Sequence, residues 1–130
     1  MLDTNIISEL ARRPRGSVGQ KINEVKSDRV CISIITAAEL RYGVEKKKSE
    51  KLRRQIETIL KAIKVQPFDV PADIAYGEIR ANLEARGKLI GPNDLLLAAH
   101  ACASNSVFVT ANLREFDRVP GLTVENWITP

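Results

Sequence analysis

Short apolar runs fit for single strands alternate along this chain with stretches whose apolar residues recur at helical spacing. Val30 to Ile34, Lys64 to Pro67, Val107 to Val109 and Leu122 to Val124 read as strands, and Met1-Leu2 reads as the stub of another. Between them, Ile6, Ile7 and Leu10 follow the capping side chains of Asp3-Thr4-Asn5 in a helical pattern closed by Pro14 and Gly16, and Val18, Ile22 and Val25 share one face. Thr36 is expected to cap a helix carrying Ala37, Ala38, Leu40 and Tyr42, which forms a helical hairpin with Leu52, Ile56, Ile59 and Leu60. Pro71 opens a helix through Ile74, Ile79 and Leu83 that stops at Gly87, and Gly91-Pro92-Asn93-Asp94 starts one apolar nearly all round, suited to the middle of a core. Thr110 to Phe116 reads as a loop or short helix. Strands too short to hide one face, alternating with helices, demand a parallel sheet covered on both sides.

At 130 residues the chain fits one domain, 1–130, with a single sizeable core. No apolar stretch approaches the roughly 20 residues that span a bilayer, and the N-terminus lacks a basic-then-apolar leader, so a cytoplasmic protein without membrane contact is expected. Cys31 and Cys102 form no CxxC pair and read as reduced core thiols. The net charge of +4 is modest, but basic residues bunch at Arg12, Arg13 and Arg15 and again from Lys46 to Arg54. That bunching suits a polyanionic partner or, in the second run, a solvated helix face.

Asp3, Glu39 and Asp94 each stand where an apolar run meets a helix start or on an otherwise apolar helix face. Buried acids are disfavoured unless paired or metal-bound, and two carboxylates about 4 Å apart repel by about 1 kcal/mol in bulk water and about 4 at an effective dielectric of 20. Each acid has an innocent reading: Asp3 and Asp94 as helix caps, and Glu39 as a capping-box residue three past Thr36 or a surface residue beside Arg41. In an open parallel sheet, however, functional groups collect beyond the carboxyl ends of the strands. Asp3 follows the first strand, Glu39 lies in the first turns after Val30 to Ile34, Thr110 and Asn112 follow Val107 to Val109, and Asp94 opens the core helix. An all-oxygen donor set suits magnesium or manganese, whose chemistry at a phosphorus centre is phosphodiester hydrolysis.

Other catalysts lack their parts. His100 is the one histidine, so a metal-free cyclising ribonuclease with paired histidines is excluded, and it sits off the helical face of Asp94 as a structural or surface residue. Gly16 to Gly19 has neither the preceding strand nor the lysine of a phosphate-cradling loop. Tyr42, Tyr76, Phe108, Phe116 and Trp127 are scattered, which argues for core packing rather than a base-stacking platform.

The segments Leu2-Asp3-Thr4-Asn5, Thr36-Ala37-Ala38-Glu39-Leu40, Gly91-Pro92-Asn93-Asp94 and Val109-Thr110-Ala111-Asn112 through Arg114-Glu115-Phe116, in this order, resemble PIN domains. The closing Val119-Pro120-Gly121-Leu122 with Trp127 looks most like the VapC branch, the ribonuclease toxins of toxin–antitoxin pairs. The resemblance implies a three-layer α/β/α sandwich on a parallel sheet of about five strands. It also implies a magnesium-dependent endoribonuclease with Asp3, Glu39 and Asp94 as metal ligands, manganese being an alternative ion. The family commonly places a fourth acid two residues after the threonine of the last core strand. This chain has Asn112 there, so Glu115, one helical turn on, is assigned the missing catalytic charge, and Thr4, Asn5, Thr110 and Asn112 are expected to support ligands or water. A transfer or ribosomal RNA substrate, a cognate antitoxin docking on the hairpin from Thr36 to Ile63, and a homodimer are further implications. The first strand is short for the family, so residues upstream of Met1 are expected.

Two alternatives keep different chemistry: a catalytically silent PIN-like module that binds RNA or protein, favoured by Asn112, and a structure-specific DNA nuclease. Asp94→Asn separates the first and matched RNA and DNA substrates the second.

Overall fold

The computed structural model describes residues 1–129. Helices α1 (Thr4–Arg12), α2 (Ser17–Val25), α3 (Ile34–Lys47), α4 (Glu50–Ala62), α5 (Ala72–Ala85), α6 (Pro92–Ala103) and α7 (Leu113–Phe116) alternate with strands β1 (Cys31–Ser33), β2 (Lys64–Gln66), β3 (Phe108–Val109) and β4 (Val124–Glu125). β1 pairs in parallel with β2, and β3 with β4. The Met1–Asp3 segment joins the two ladders: Leu2 N–H donates to the Cys31 carbonyl at 2.9 Å, Asp3 N–H to Val109 at 2.8 Å, and Val109 N–H to Met1 at 2.9 Å. Five extended segments thus lie side by side in the order β2, β1, Met1–Asp3, β3, β4. The expected parallel sheet of about five strands is present, its central member too short to form a ladder of its own.

Alternation along these strands splits the core into two. Leu2, Ile32 and Val109 face a cluster with Ile6, Ile7, Val18, Leu40, Val44 and Ile56, under α1 to α4. Met1, Cys31, Phe108 and Val124 face the opposite way, toward Ile79, Leu83, Leu95, Leu97 and Phe116 under α5 to α7. Helices therefore cover both faces, and α6 is buried over most of its surface, as its apolar composition requires.

One cap differs from expectation. The hydroxyl of Ser33 accepts the Ile35 N–H at 3.0 Å and starts α3 three residues earlier than Thr36 would. Thr36 is then inside the helix, fully buried, with no partner for its hydroxyl among the described residues. Glu39 is not a capping-box residue, because it lies six positions past the cap, in the second turn. Tyr42 is also displaced from the core expected for it, at 66% exposure.

Candidate active site

Asp3, the N-cap of α1, is held from three sides at the carboxyl end of the central segment. Its Oδ1 accepts the Thr4 N–H at 2.7 Å, and its Oδ2 accepts the Thr110 hydroxyl at 2.8 Å and the Asn5 amide at 3.2 Å. The residue is only 5% exposed, and burial raises its pKa despite the donors from Thr110 and Thr4. Asn5 is pinned in turn, its Oδ1 accepting the Ala111 N–H at 3.0 Å, while the buried Thr110 hydroxyl accepts Asn112 N–H at 3.0 Å. Thr4 points the other way and donates its hydroxyl to Glu39 Oε1 at 2.7 Å, so one dipeptide orients two acids. Asn93 reaches Glu39 Oε2 at 3.5 Å, the outer limit for a hydrogen bond.

Asp94, in the first turn of α6, meets Glu115 of α7. Its pKa rises to about 7, first because it is half-buried, then through its hydrogen bond to Glu115 and the charges of Glu115, Asp3 and Glu39. Burial also works to raise Glu115. The proton held by Asp94, the Gly91 N–H at 3.2 Å and the Asn112 amide outweigh that effect, and Glu115 is lowered. Adjacent carboxylates disfavour each other's ionisation, so Glu115 is the one held charged and Asp94 the one whose proton is retained to higher pH. Asn112 does not project as a substitute acid; its Nδ2 donates to Glu115 Oε2.

Every acid read from the sequence is therefore at this rim: Asp3, Glu39, Asp94 and Glu115, with Thr4, Asn5, Thr110 and Asn112 as their hydrogen-bond partners. Among the described residues no three of the acids, with or without histidine or cysteine, already form a preset metal cage. Their oxygens are instead occupied by hydroxyl and amide donors. The donor set nonetheless fits a hard divalent cation: it is all oxygen, and the charges of Glu115, Asp3 and Glu39 add to burial and the Glu115 hydrogen bond in pushing the Asp94 carboxyl up. Sequence reasoning missed the contributions of Gly91 N–H and Asn93; both lie within the Gly91-Pro92-Asn93-Asp94 segment, whose helix start was the available signal.

The basic runs are partly neutralised. Glu9 is buried on α1 between Arg12 and Arg13, at 3.1 and 2.8 Å, and Arg53 pairs with Glu45 and Glu50. Lys47 and Lys51 make no ion pair among the described residues. A cleft of 220 Å³ leads from Thr4 and Glu39 past Gly43 to Arg12 and Lys47, and a second, beside it, is lined by Arg12, Arg13 and Lys51. Leu10, Pro14, Ile22, Ile59 and Ile63 line an apolar groove of 480 Å³ between α1, α2 and α4, which Arg54 also lines.

A family profile described as PIN domain matches residues 1–122. Ribonuclease VapC2 of Rickettsia felis is 40% identical over 129 residues, 98% of this chain and 96% of that protein. The tRNA(fMet)-specific endonuclease VapC of Salmonella typhimurium is 38% identical over 128 residues, 98% of this chain and 96% of its own. Among solved structures, VapBC2 from Rickettsia felis bound to a DNA fragment from its promoter superposes with a TM-score of 0.90 at 39% identity, covering 98% of this chain and 97% of that one. DNA-bound VapBC from Salmonella typhimurium gives 0.88 at 38% identity, covering 98% and 96%.

Proposed function

The chain belongs to the PIN-domain family, in its VapC branch of ribonuclease toxins, and we propose that it cleaves RNA at the rim where Asp3, Glu39, Asp94 and Glu115 meet, with magnesium as cofactor. What supports this most is the convergence of acids from four separate segments on one rim, where Asp94 and Glu115 of two different helices adjoin and the Asp94 carboxyl is pushed up to about 7 by burial and by these neighbours. Asp3, Glu39 and Asp94 would hold the ion, which when bound supplies Lewis acidity and a hydroxide nucleophile. Glu115, kept charged by the Gly91 N–H and the Asn112 amide, would supply the fourth carboxylate, while Asp94 would have to give its proton to solvent in order to hold the ion. Thr4 and Thr110 orient Glu39 and Asp3, each donating a hydroxyl to one carboxylate oxygen. Manganese fits the same donors.

The cleft running to Arg12 and Lys47 carries the RNA backbone beside the scissile phosphate, since it opens beside Glu39 and Thr4 and is lined by these two basic side chains. By analogy with the relative specific for tRNA(fMet), a transfer RNA is the proposed substrate. The solved relatives are toxin–antitoxin complexes, and a cognate antitoxin is the proposed partner; the apolar groove that α4 of the expected hairpin forms with α1 and α2 would receive an amphipathic helix of it. No helix among the described residues is long and apolar enough to cross a membrane.

Cleavage of a transfer RNA with magnesium, for wild type and Asp94→Asn, tests the reading. Hydrolysis should leave a 5′-phosphate and a 3′-hydroxyl, and Asp94→Asn should abolish it while RNA binding persists. A 2′,3′-cyclic phosphate product, or an Asp94→Asn protein as active as wild type, refutes it.

A further inference from the structure

His100 takes no part in the chemistry above, yet it is 5% exposed and makes a short buried contact, with its Nδ1 2.8 Å from the Ser33 hydroxyl. Ser33 is the N-cap of α3, and its oxygen already accepts the Ile35 N–H at 3.0 Å. Because Ser33 is fully buried, its hydroxyl proton has to find an acceptor, and Nδ1 of a neutral imidazole is the one at hand. Burial lowers the pKa of His100 against the opposing pull of the Pro67 carbonyl, which agrees with a neutral ring. The ring is further wedged edge-on against Phe68, with centroids 5.4 Å apart at 78°.

The two ends of this bond belong to the two helices that carry the central acids. Ser33 stands six residues before Glu39 and His100 six residues after Asp94. Among the described residues, α3 and α6 share one other polar link, the exposed Asn93 to Glu39 contact at 3.5 Å. The short, buried bond is therefore the one strong polar tie between them. We infer that His100 is a positioning residue for the acid site: its hydrogen bond from the Ser33 hydroxyl sets how α3 lies against α6, and with it the separation of Glu39 from Asp94. Touching neither RNA nor the ion, it acts through the two helices. The inference rests on the magnesium reading given above.

The test compares His100→Leu, which fills similar space with no acceptor, with His100→Asn, whose side-chain oxygen falls near the position of Nδ1 and can take the Ser33 proton. Magnesium binding is measured by calorimetry without RNA, and kcat and KM on a transfer RNA are measured separately. His100→Leu is expected to lose about tenfold to a hundredfold in magnesium affinity and in kcat, as when a residue that orients metal ligands is removed. KM should stay within about twofold, because the basic cleft is untouched, and His100→Asn should recover most of both losses. Equal loss in the two variants, or wild-type values in His100→Leu, overturns the inference, since the ring would then serve only as filler. If His100→Leu does not fold, Ser33→Ala breaks the same bond from the other side and should weaken magnesium binding equally. Unchanged binding in Ser33→Ala also overturns the inference. A wild type that cleaves RNA without binding magnesium removes the metal reading and this inference together, whereas magnesium binding insensitive to every variant removes this inference alone.

Discussion

Asp94→Asn should make the metal-free protein more stable above neutral pH, the reverse of what loss of a buried polar group usually does. The carboxyl of Asp94 is shifted from 3.8 to about 7 in the folded protein, so folding favours its protonated form. Its contribution to stability is complete below the unfolded value and is lost as pH rises from about 4 to about 7, because over that interval the folded state binds the extra proton. A shift of about 3 units is worth at most about 4 kcal/mol. Asp94 is only half-buried and lies in the first turn of α6, where the helix dipole favours its charge, so about 2 kcal/mol is the expected penalty at pH 8. The carboxamide of asparagine mimics the protonated acid and can still donate to Glu115, which removes the penalty without emptying the site. Urea unfolding in EDTA at pH 8 should show the variant more stable by about 2 kcal/mol, or about 6–10 °C in Tm for a chain of this size, with the gap closing toward pH 4. Added magnesium should reverse the order by stabilising the wild type through RT ln(1 + [L]/Kd). A variant no more stable than wild type at pH 8, or a gap that ignores pH, refutes the reasoning.

Lys47→Ala with Lys51→Ala, on an Asp94→Asn background, should weaken RNA binding and lower the salt slope by about 0.7 for each lysine–phosphate pairing removed, read by titration across a salt series. The same change at Lys88 and Arg114, which do not line the cleft, should leave the slope alone. At Gly19 a Cβ would stand 2.1 Å from the Pro14 carbonyl oxygen, so Gly19→Ala forces α2 off α1 and should cost about 1–3 kcal/mol by denaturant unfolding. Gly77 on α5 has open space around it, and Gly77→Ala should stabilise by up to about 1 kcal/mol.

Elements made of strong local patterns were legible from the sequence. Pro92 and the continuous apolar run after it mark α6 as a core helix, and the capping side chain of Asp3 marks the start of α1, because both depend on neighbours within one turn. The cap of α3 misled because Ser33 sits among Ile32, Ile34 and Ile35, which read as strand, while Thr36 looked the better stop; only the hydrogen bond to Ile35 decides it. The acids were readable one by one, and Glu115 lies one turn beyond Asn112, in reach of the site. That it meets Asp94, and not solvent, depends on how α7 packs against α6, which no spacing encodes. His100 was readable as structural, but its partner lies 67 residues away. The pairing of Glu9 with Arg12 and Arg13 was there to be seen at i+3 and i+4, and it reduces the charge that the first basic run offers to RNA.

The central claim is that carboxylates from separate segments gather to hold a divalent ion at the end of the sheet. Anomalous diffraction from crystals grown with manganese addresses it directly. A peak bounded by Asp3 and Asp94, with Glu39 or Glu115 turned toward it, is the predicted result. Manganese that binds elsewhere, or not at all, while the protein still cleaves RNA, would contradict it.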